Sequence, residues 1–272
     1  MNMRLTLALM IFLPVFSAQG DGWFYPSPLA KAYSALAENH PKLAWSELRQ
    51  ALNHDKIDKK HWLPLKNEII DQSACGQTLK HGSSLPPAKI TLSFIERIGI
   101  LSPGYSITLS AEDVKVAFSV SLTSPDEQTL FVGEFPAIDG YQEIETGDMF
   151  RIPESGVYSL AIGKNKYVLI IALEASEKWL KIEGANKRLL VSPPDTTDNC
   201  MSAVTTWQWL SADFELLGVR IPILDVVNPL PAANDRPEGA TRLTAATSHY
   251  EYQQGIKVKY TQRLSLPLTS LN

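Results

Sequence analysis

The sequence predicts an α+β protein: a small N-terminal helical domain, made of a helical hairpin plus one helix, followed by mainly antiparallel β-structure arranged as two β-sandwich domains. Three observations predict it. Apolar residues recur at helical spacing from Pro28 to Ala74. From Lys89 onward the period changes to two, which is that of a half-buried strand. Turn-forming Pro, Gly, Asn and Ser then interrupt the chain at roughly 8–12-residue intervals, as they do in sandwiches. The length of 272 residues suits about two domains, or three small ones. A hydrophobic fraction of 44% with 20% charged residues can build ordinary cores.

Residues 1–20 read as a signal peptide. Arg4 supplies the early positive charge, an apolar stretch runs from Leu5 to Phe16, and Ser17-Ala18-Gln19-Gly20 forms a small-residue exit. The apolar stretch is shorter than the roughly 20 residues that span a bilayer. Cleavage after Gly20 places Ala18 and Gly20 at the two small positions, and cleavage after Ser17 competes with it. No later segment reaches about 18 consecutive apolar residues, so the mature chain is not expected to span a membrane. No Asn-x-Ser/Thr acceptor occurs, which favours a bacterial envelope. The expected location is periplasmic.

The helical domain is expected over residues 21–76. Leu29, Ala32, Tyr33, Leu36 and Ala37 make one apolar stripe, and Ala44, Trp45, Leu48, Ala51 and Leu52 make a second. Pro41 suits the first turn of the second helix. A third helix between Asp58 and Ala74 carries Leu65, Ile69 and Ile70, with Pro64 either starting or kinking it. A single helical hairpin cannot bury its own face, so this head must lean on the rest of the chain.

Residues 77–175 are expected to form the first sandwich, of immunoglobulin-like size. Val114, Val116, Phe118, Val120 and Leu122 alternate along one candidate strand. Other candidates are 89–94, 105–109, 129–135, 148–152, 157–162 and 167–173. Residues 176–272 are expected to form a second β-rich domain, with one large β-domain as the alternative. Its clearest strand carries Ile256, Val258, Tyr260, Leu264 and Leu266 on one face, opposite Lys257, Lys259 and Arg263. The stretch from Pro222 to Glu238 holds four prolines and reads as a long surface loop.

Cys75 and Cys200 are the two cysteines, and in an exported chain they are expected to pair as a disulfide. Two separately buried thiols are the alternative. By loop entropy the bond is worth on the order of 5 kcal/mol as an upper estimate. It would clamp the helical head onto the C-terminal β-domain.

Motifs for chemistry are missing. The chain lacks Gly-x-Ser-x-Gly, Ser-x-x-Lys, His-Glu-x-x-His, His-x-His, the glycine-rich phosphate loops and Cys-x-x-Cys. No cofactor, metal site or catalytic residue is therefore expected. A net charge of −4 argues against nucleic acid as a partner. His54, Asp58 and His61 would share a helix face, but they span an expected turn, and Asp195-Thr-Thr-Asp-Asn199 lacks the spacing of a calcium loop. Trp207 and Trp209 share a strand face: exposed they would stack a sugar ring, buried they are core. Trp23, Phe24 and Tyr25 pose the same choice between a docked plug and a patch for a partner. These five aromatics are the candidate ligand- or partner-binding residues.

The assembly of a leader, Trp23-Phe24-Tyr25-Pro26-Ser27-Pro28-Leu29, a Tyr33-x-x-Leu36 helical head ending at Cys75, and a β-rich remainder with Cys200 resembles a family of uncharacterised exported proteins of Gram-negative bacteria, known as a domain of unknown function. The resemblance covers nearly the whole chain. It implies an envelope setting, an association with two-component regulators of cell-wall stress, and an accessory role in that response, with no functional residues to carry over. The expected function is non-catalytic binding, with another envelope protein or a cell-wall component as partner. The alternative is a peptidoglycan- or glycan-acting enzyme with an unrecognised carboxylate site, for which Glu143, Glu145 and Asp148 are the nearest acids.

Overall fold

A computed structural model describes residues 27–79, 85–99, 104–173, 178–183, 188–213 and 215–267. The expected leader and Trp23, Phe24 and Tyr25 lie outside the described residues. Three helices come first: α1 (Ala30–Ala37), α2 (Pro41–His54) and α3 (Lys59–Gln72). The short link from α1 to α2 passes through Asn39 in the left-handed region (φ 60°), and Pro41 opens α2. Ala44, Trp45, Leu48 and Ala51 are buried, as their spacing requires. The first stripe is rotated from expectation: Ala32 and Ala35 face inward, while Tyr33 lies exposed with its hydroxyl on the His61 carbonyl. Asp58 caps α3, its side chain accepting from the Lys60 amide at 3.0 Å. Pro64 therefore neither starts the helix nor ends it, but sits in its second turn.

The strands follow as β1 (Lys89–Gly99), β2 (Gly104–Glu112), β3 (Phe118–Thr123), β4 (Thr129–Phe135), β5 (Tyr141–Glu145), β6 (Gly156–Ile162), β7 (Asn165–Ile171), β8 (Leu180–Glu183), β9 (Arg188–Val191), β10 (Val204–Leu210), β11 (Leu216–Ile223), β12 (Val227–Pro229), β13 (Arg242–Gln253) and β14 (Ile256–Pro267). They form a seven-stranded sheet ordered β11-β10-β13-β14-β1-β2-β5, a four-stranded sheet β4-β3-β6-β7 and a three-stranded sheet β12-β9-β8. Named neighbours are antiparallel except β1 and β14, which run parallel at the middle of the large sheet. The large sheet thus draws strands from both β-rich stretches.

Several strand expectations shift. The alternating run from Val114 becomes a strand only at Phe118: Val114 is buried in the preceding bend and Val116 is exposed. Residues 148–152 contribute a single bridge from Met149 to Tyr105, and Tyr141–Glu145 adds an edge strand that its sequence did not announce. The proline-rich stretch is not all loop. Pro222 lies in β11 and Pro229 in β12, each an edge strand, where a missing amide donor is tolerated.

The register puts Leu92, Phe94, Leu109, Val258, Tyr260, Ala245 and Trp207 on one face of the large sheet. Three units cover that face. The four-stranded sheet closes a core around Phe94, Leu109, Tyr158 and Leu169. The three-stranded sheet closes another around Leu180, Leu189, Trp207 and Trp209. The helices build a third around Trp45, Trp62 and Ile69, which reaches Ile170 of β7. Among the described residues no helix is long and apolar enough to cross a membrane.

The turn after α3 fastens the helices to the sheet. Ala74, Cys75 and Gly76 are all left-handed (φ 53°, 54° and 77°), and the Tyr252 amide of β13 donates to the Cys75 carbonyl at 2.9 Å. A Cβ on Gly76 would stand 1.8 Å from the Tyr252 carbonyl oxygen, so this close approach admits only glycine. Cys75 is bonded to Cys200, across 125 residues of sequence.

Candidate functional site

Where the three covering units meet, they leave a cleft of about 660 Å³ over the centre of the large sheet. Its floor comes from β1, β13 and β14, one wall from α3, and the opposite wall from Trp179 and the segment 192–200. Strand alternation decides which side chains reach it. Glu96 pairs in register with Tyr105 and Gln262, and His249 with Tyr260, so all five project from the same covered face, as does Glu251 two residues beyond His249.

The floor is anchored by a buried ion pair. Lys66, on the inward face of α3 between Leu65 and Ile69, is 2% exposed and Glu251 is 8% exposed. Lys66 Nζ donates to both carboxylate oxygens, at 2.7 and 2.6 Å. Glu251 Oε1 also accepts from Gln253 Nε2 at 2.6 Å and from Tyr260 Oη at 3.1 Å. Gln253 in turn exchanges two hydrogen bonds with the Ile170 backbone, at 2.8 and 2.9 Å. This network ties α3, β13, β14 and β7 together and leaves Glu251 fully engaged by the protein. Burial and the neighbouring Glu251 charge push the Tyr260 hydroxyl well above the ordinary phenol range.

His249 lies in an aromatic column. Its ring stacks on Tyr260 at 4.9 Å between centroids and meets Trp179 edge-on at 5.3 Å, with Phe94 stacked beyond Tyr260 at 6.1 Å. Burial holds its pKa down to about 4, against the pull of Glu251, so the imidazole is neutral at physiological pH. The column gives the cleft a flat, uncharged aromatic side. Beside it, two residues along β1 from Phe94, Glu96 accepts from Tyr105 Oη at 3.2 Å and from Gln262 Nε2 at 2.7 Å. Burial, then the Glu96 charge, raises the Tyr105 hydroxyl.

The disulfide has a place in this geometry. Cys75 lies in the turn that follows α3, Cys200 ends the segment 192–200, and α3 and that segment wall the cleft. The Asn199 amide adds a second tie to Asp71 at 3.0 Å, and the Ser192 amide donates to the Trp179 carbonyl at 2.8 Å. The bond expected between Cys75 and Cys200 thus joins the helical layer to the C-terminal β-region.

The other sequence-level candidates fall elsewhere. Trp207 and Trp209 do share a face, but that face is covered: they are 3% and 2% exposed in the core beneath β8 and β9, with no surface left to stack a sugar. Glu143 and Glu145 are exposed on edge strand β5, on the sheet face away from the cleft, and Asp148 pairs with Arg97. Asp58 is a helix cap, with His54 and His61 solvated beside it. Asp195, by contrast, lines the cleft. Sequence reasoning missed Lys66, Glu96, Trp179, His249 and Glu251. The available signals were a lysine inside an apolar helical stripe and a run of polar residues at the inward positions of β13.

A family profile described as "Protein of unknown function (DUF2861)" matches residues 23–269. No curated protein matches the chain. Among solved structures, a "Biofilm associated protein - BSP domain" is similar at 12% identity and a TM-score of 0.23, over 66% of this chain; the chain spans 29% of that structure's length. A second, the "Periplasmic Chaperone SfaE", is similar at 10% identity and a TM-score of 0.17, over 64% of this chain and 99% of that one. Scores this low establish no shared fold.

Proposed function

The chain belongs to the DUF2861 family of proteins of unknown function, and with no activity inherited from it we propose that this member is a non-catalytic binding protein of the Gram-negative periplasm, exported and processed, that takes a segment of another envelope protein or a cell-wall component into its central cleft. An accessory part in the envelope stress response fits this setting. The observation that carries the reading is the cleft itself: about 660 Å³, the size of a small-ligand site, with one aromatic side and a few fixed polar groups. Its most buried acid, Glu251, already has every donor it needs, and its histidine is stacked and neutral. Those features suit recognition better than proton transfer. The disulfide supports an oxidising compartment.

The test adds peptidoglycan fragments and envelope extract to the oxidised protein, following Trp179 fluorescence with Trp179→Phe as the blank. Saturable binding is expected, and Asn67→Trp, on the exposed part of the α3 wall, should abolish it without unfolding the chain. The fragments should leave with unchanged mass. Glu96 on the cleft floor and Asp195 on its wall favour a second reading, a glycan-acting enzyme; hydrolysis lost in Glu96→Gln would put it in place of the first. Cell fractionation tests the compartment, and a full-length cytosolic form would count against it.

A further inference from the structure

We infer that the cleft recognises a cationic group on its ligand, an alkylammonium or guanidinium, through the carboxylate of Glu96. This rests on the cleft being the binding site and adds the chemistry of what enters it.

Glu96 is half-buried on β1 and opens onto the cleft. Both its hydrogen bonds come from neutral donors, Tyr105 Oη and Gln262 Nε2. A carboxylate has about four acceptor positions, so about two remain for a ligand. Among the described residues no cation stands within ion-pair distance of it. Arg97, next in sequence, is turned by strand alternation to the opposite face, where it pairs with Asp148. Of the two lysines that line the cleft, Lys66 on the α3 wall is held by Glu251 at 2.6 Å, and Lys178 stands next to Trp179 on the opposite wall, where it makes no ion pair with Glu96. Among the described residues Glu96 thus keeps its charge without an ion-pair partner.

The carboxylate is also held in place. Gln262 is 1% exposed and its side-chain oxygen accepts from the Leu180 amide at 3.0 Å. That bond orients the amide so that its nitrogen must face Glu96. Tyr105 fixes the other oxygen from the neighbouring strand. A partly desolvated anion fixed by dipoles gains a charge-assisted hydrogen bond when a cation arrives, without first breaking an ion pair. Phe94, Trp179 and Tyr260 line the same cleft and suit the apolar stem of a lysine-like or arginine-like group. Asp195 on the far wall adds negative charge to the entrance.

The experiment compares hexylammonium with 1-hexanol, which share a stem and differ in charge, by titration into the oxidised full chain and its Glu96→Gln variant. Hexylammonium should bind the wild type about tenfold or more tighter than hexanol, the worth of one charge-assisted hydrogen bond. Glu96→Gln should bring that ratio near one through loss of hexylammonium affinity, and an unaltered near-UV circular dichroism spectrum of the variant reports an intact cleft. If the variant loses hexanol binding too, the wild-type ratio alone decides. Equal binding of both probes to the wild type overturns the cationic preference and leaves the cleft a binding site. Binding of neither overturns both readings.

Discussion

Replacing Lys66 by methionine should be among the most damaging single changes in this protein. The substitution keeps the stem of the side chain in the α3 face and removes the charge, leaving a carboxylate that is 8% exposed without its cation. Removing one partner of a buried pair costs about 3–5 kcal/mol, because the other charge stays desolvated. Glu251 retains Gln253 Nε2 at 2.6 Å and Tyr260 Oη at 3.1 Å, so the lower end, about 3 kcal/mol, applies here. For a chain of this size that corresponds to a fall in Tm of roughly 6–12 °C. Adding Glu251→Gln removes the stranded charge while keeping an acceptor for both remaining donors, and should recover about half the loss. Urea unfolding of the oxidised protein, read as midpoint and slope for the wild type, both single variants and the double, gives the coupling directly. A Lys66→Met loss below about 0.5 kcal/mol would refute the reasoning, as would strict additivity of the two substitutions.

Reduction of Cys75–Cys200 opens a constraint spanning 125 residues, worth on the order of 5 kcal/mol at most; hydrogen exchange should rise first in residues 27–76 and 192–200, and unchanged protection there would count against the clamp. Gly76→Ala drives a Cβ into the Tyr252 carbonyl at a φ of +77° and should cost more than about 2 kcal/mol in urea unfolding; a neutral effect would mean that the turn moves freely. His249 sets a pH dependence. With its folded pKa at about 4 and its unfolded value at 6.5, the unfolded chain binds the extra proton in between. Stability is therefore complete above pH 6.5 and falls as pH drops toward 4, by up to about 3 kcal/mol. His249→Phe keeps the stack on Tyr260 and should flatten that slope, and parallel stability curves for the two proteins would exclude histidine as its source.

The layout was legible wherever a single period governed burial. Ala44, Trp45, Leu48 and Ala51 obey the helical period, and Val258, Tyr260 and Leu264 obey the strand period, so α2 and β14 stand out in the sequence. α1 was legible as a helix but its inward face was not, because its inward residues are alanines while a larger Tyr33 lies on the surface, and size misdirects a hydrophobicity count. Trp207 and Trp209 were correctly seen to share a face, but what covers that face depends on β8 and β9 returning over it. Pro222 and Pro229 look like loop residues until the sheet order places them on edges. The cleft was the least legible part. Lys66, Glu96, Trp179, Asp195 and His249 are spread along most of the chain and converge only through the sheet order and the placement of the covering units. The disulfide was legible for a different reason, compartment chemistry rather than pattern.

The parallel pairing of β1 with β14 fixes the order in which the molecule can be completed. Glu96 and Gln262 touch across 166 residues of chain, and they do so at the middle of the large sheet rather than at its rim. During synthesis β1 therefore waits, with one side unpaired, until residues 256–267 have emerged. A ribosome that stopped at residue 255 would release a chain split along its centre, with β13 and β1 as raw, adhesive borders. The two halves of the large sheet are thus joined only when β14 arrives between them.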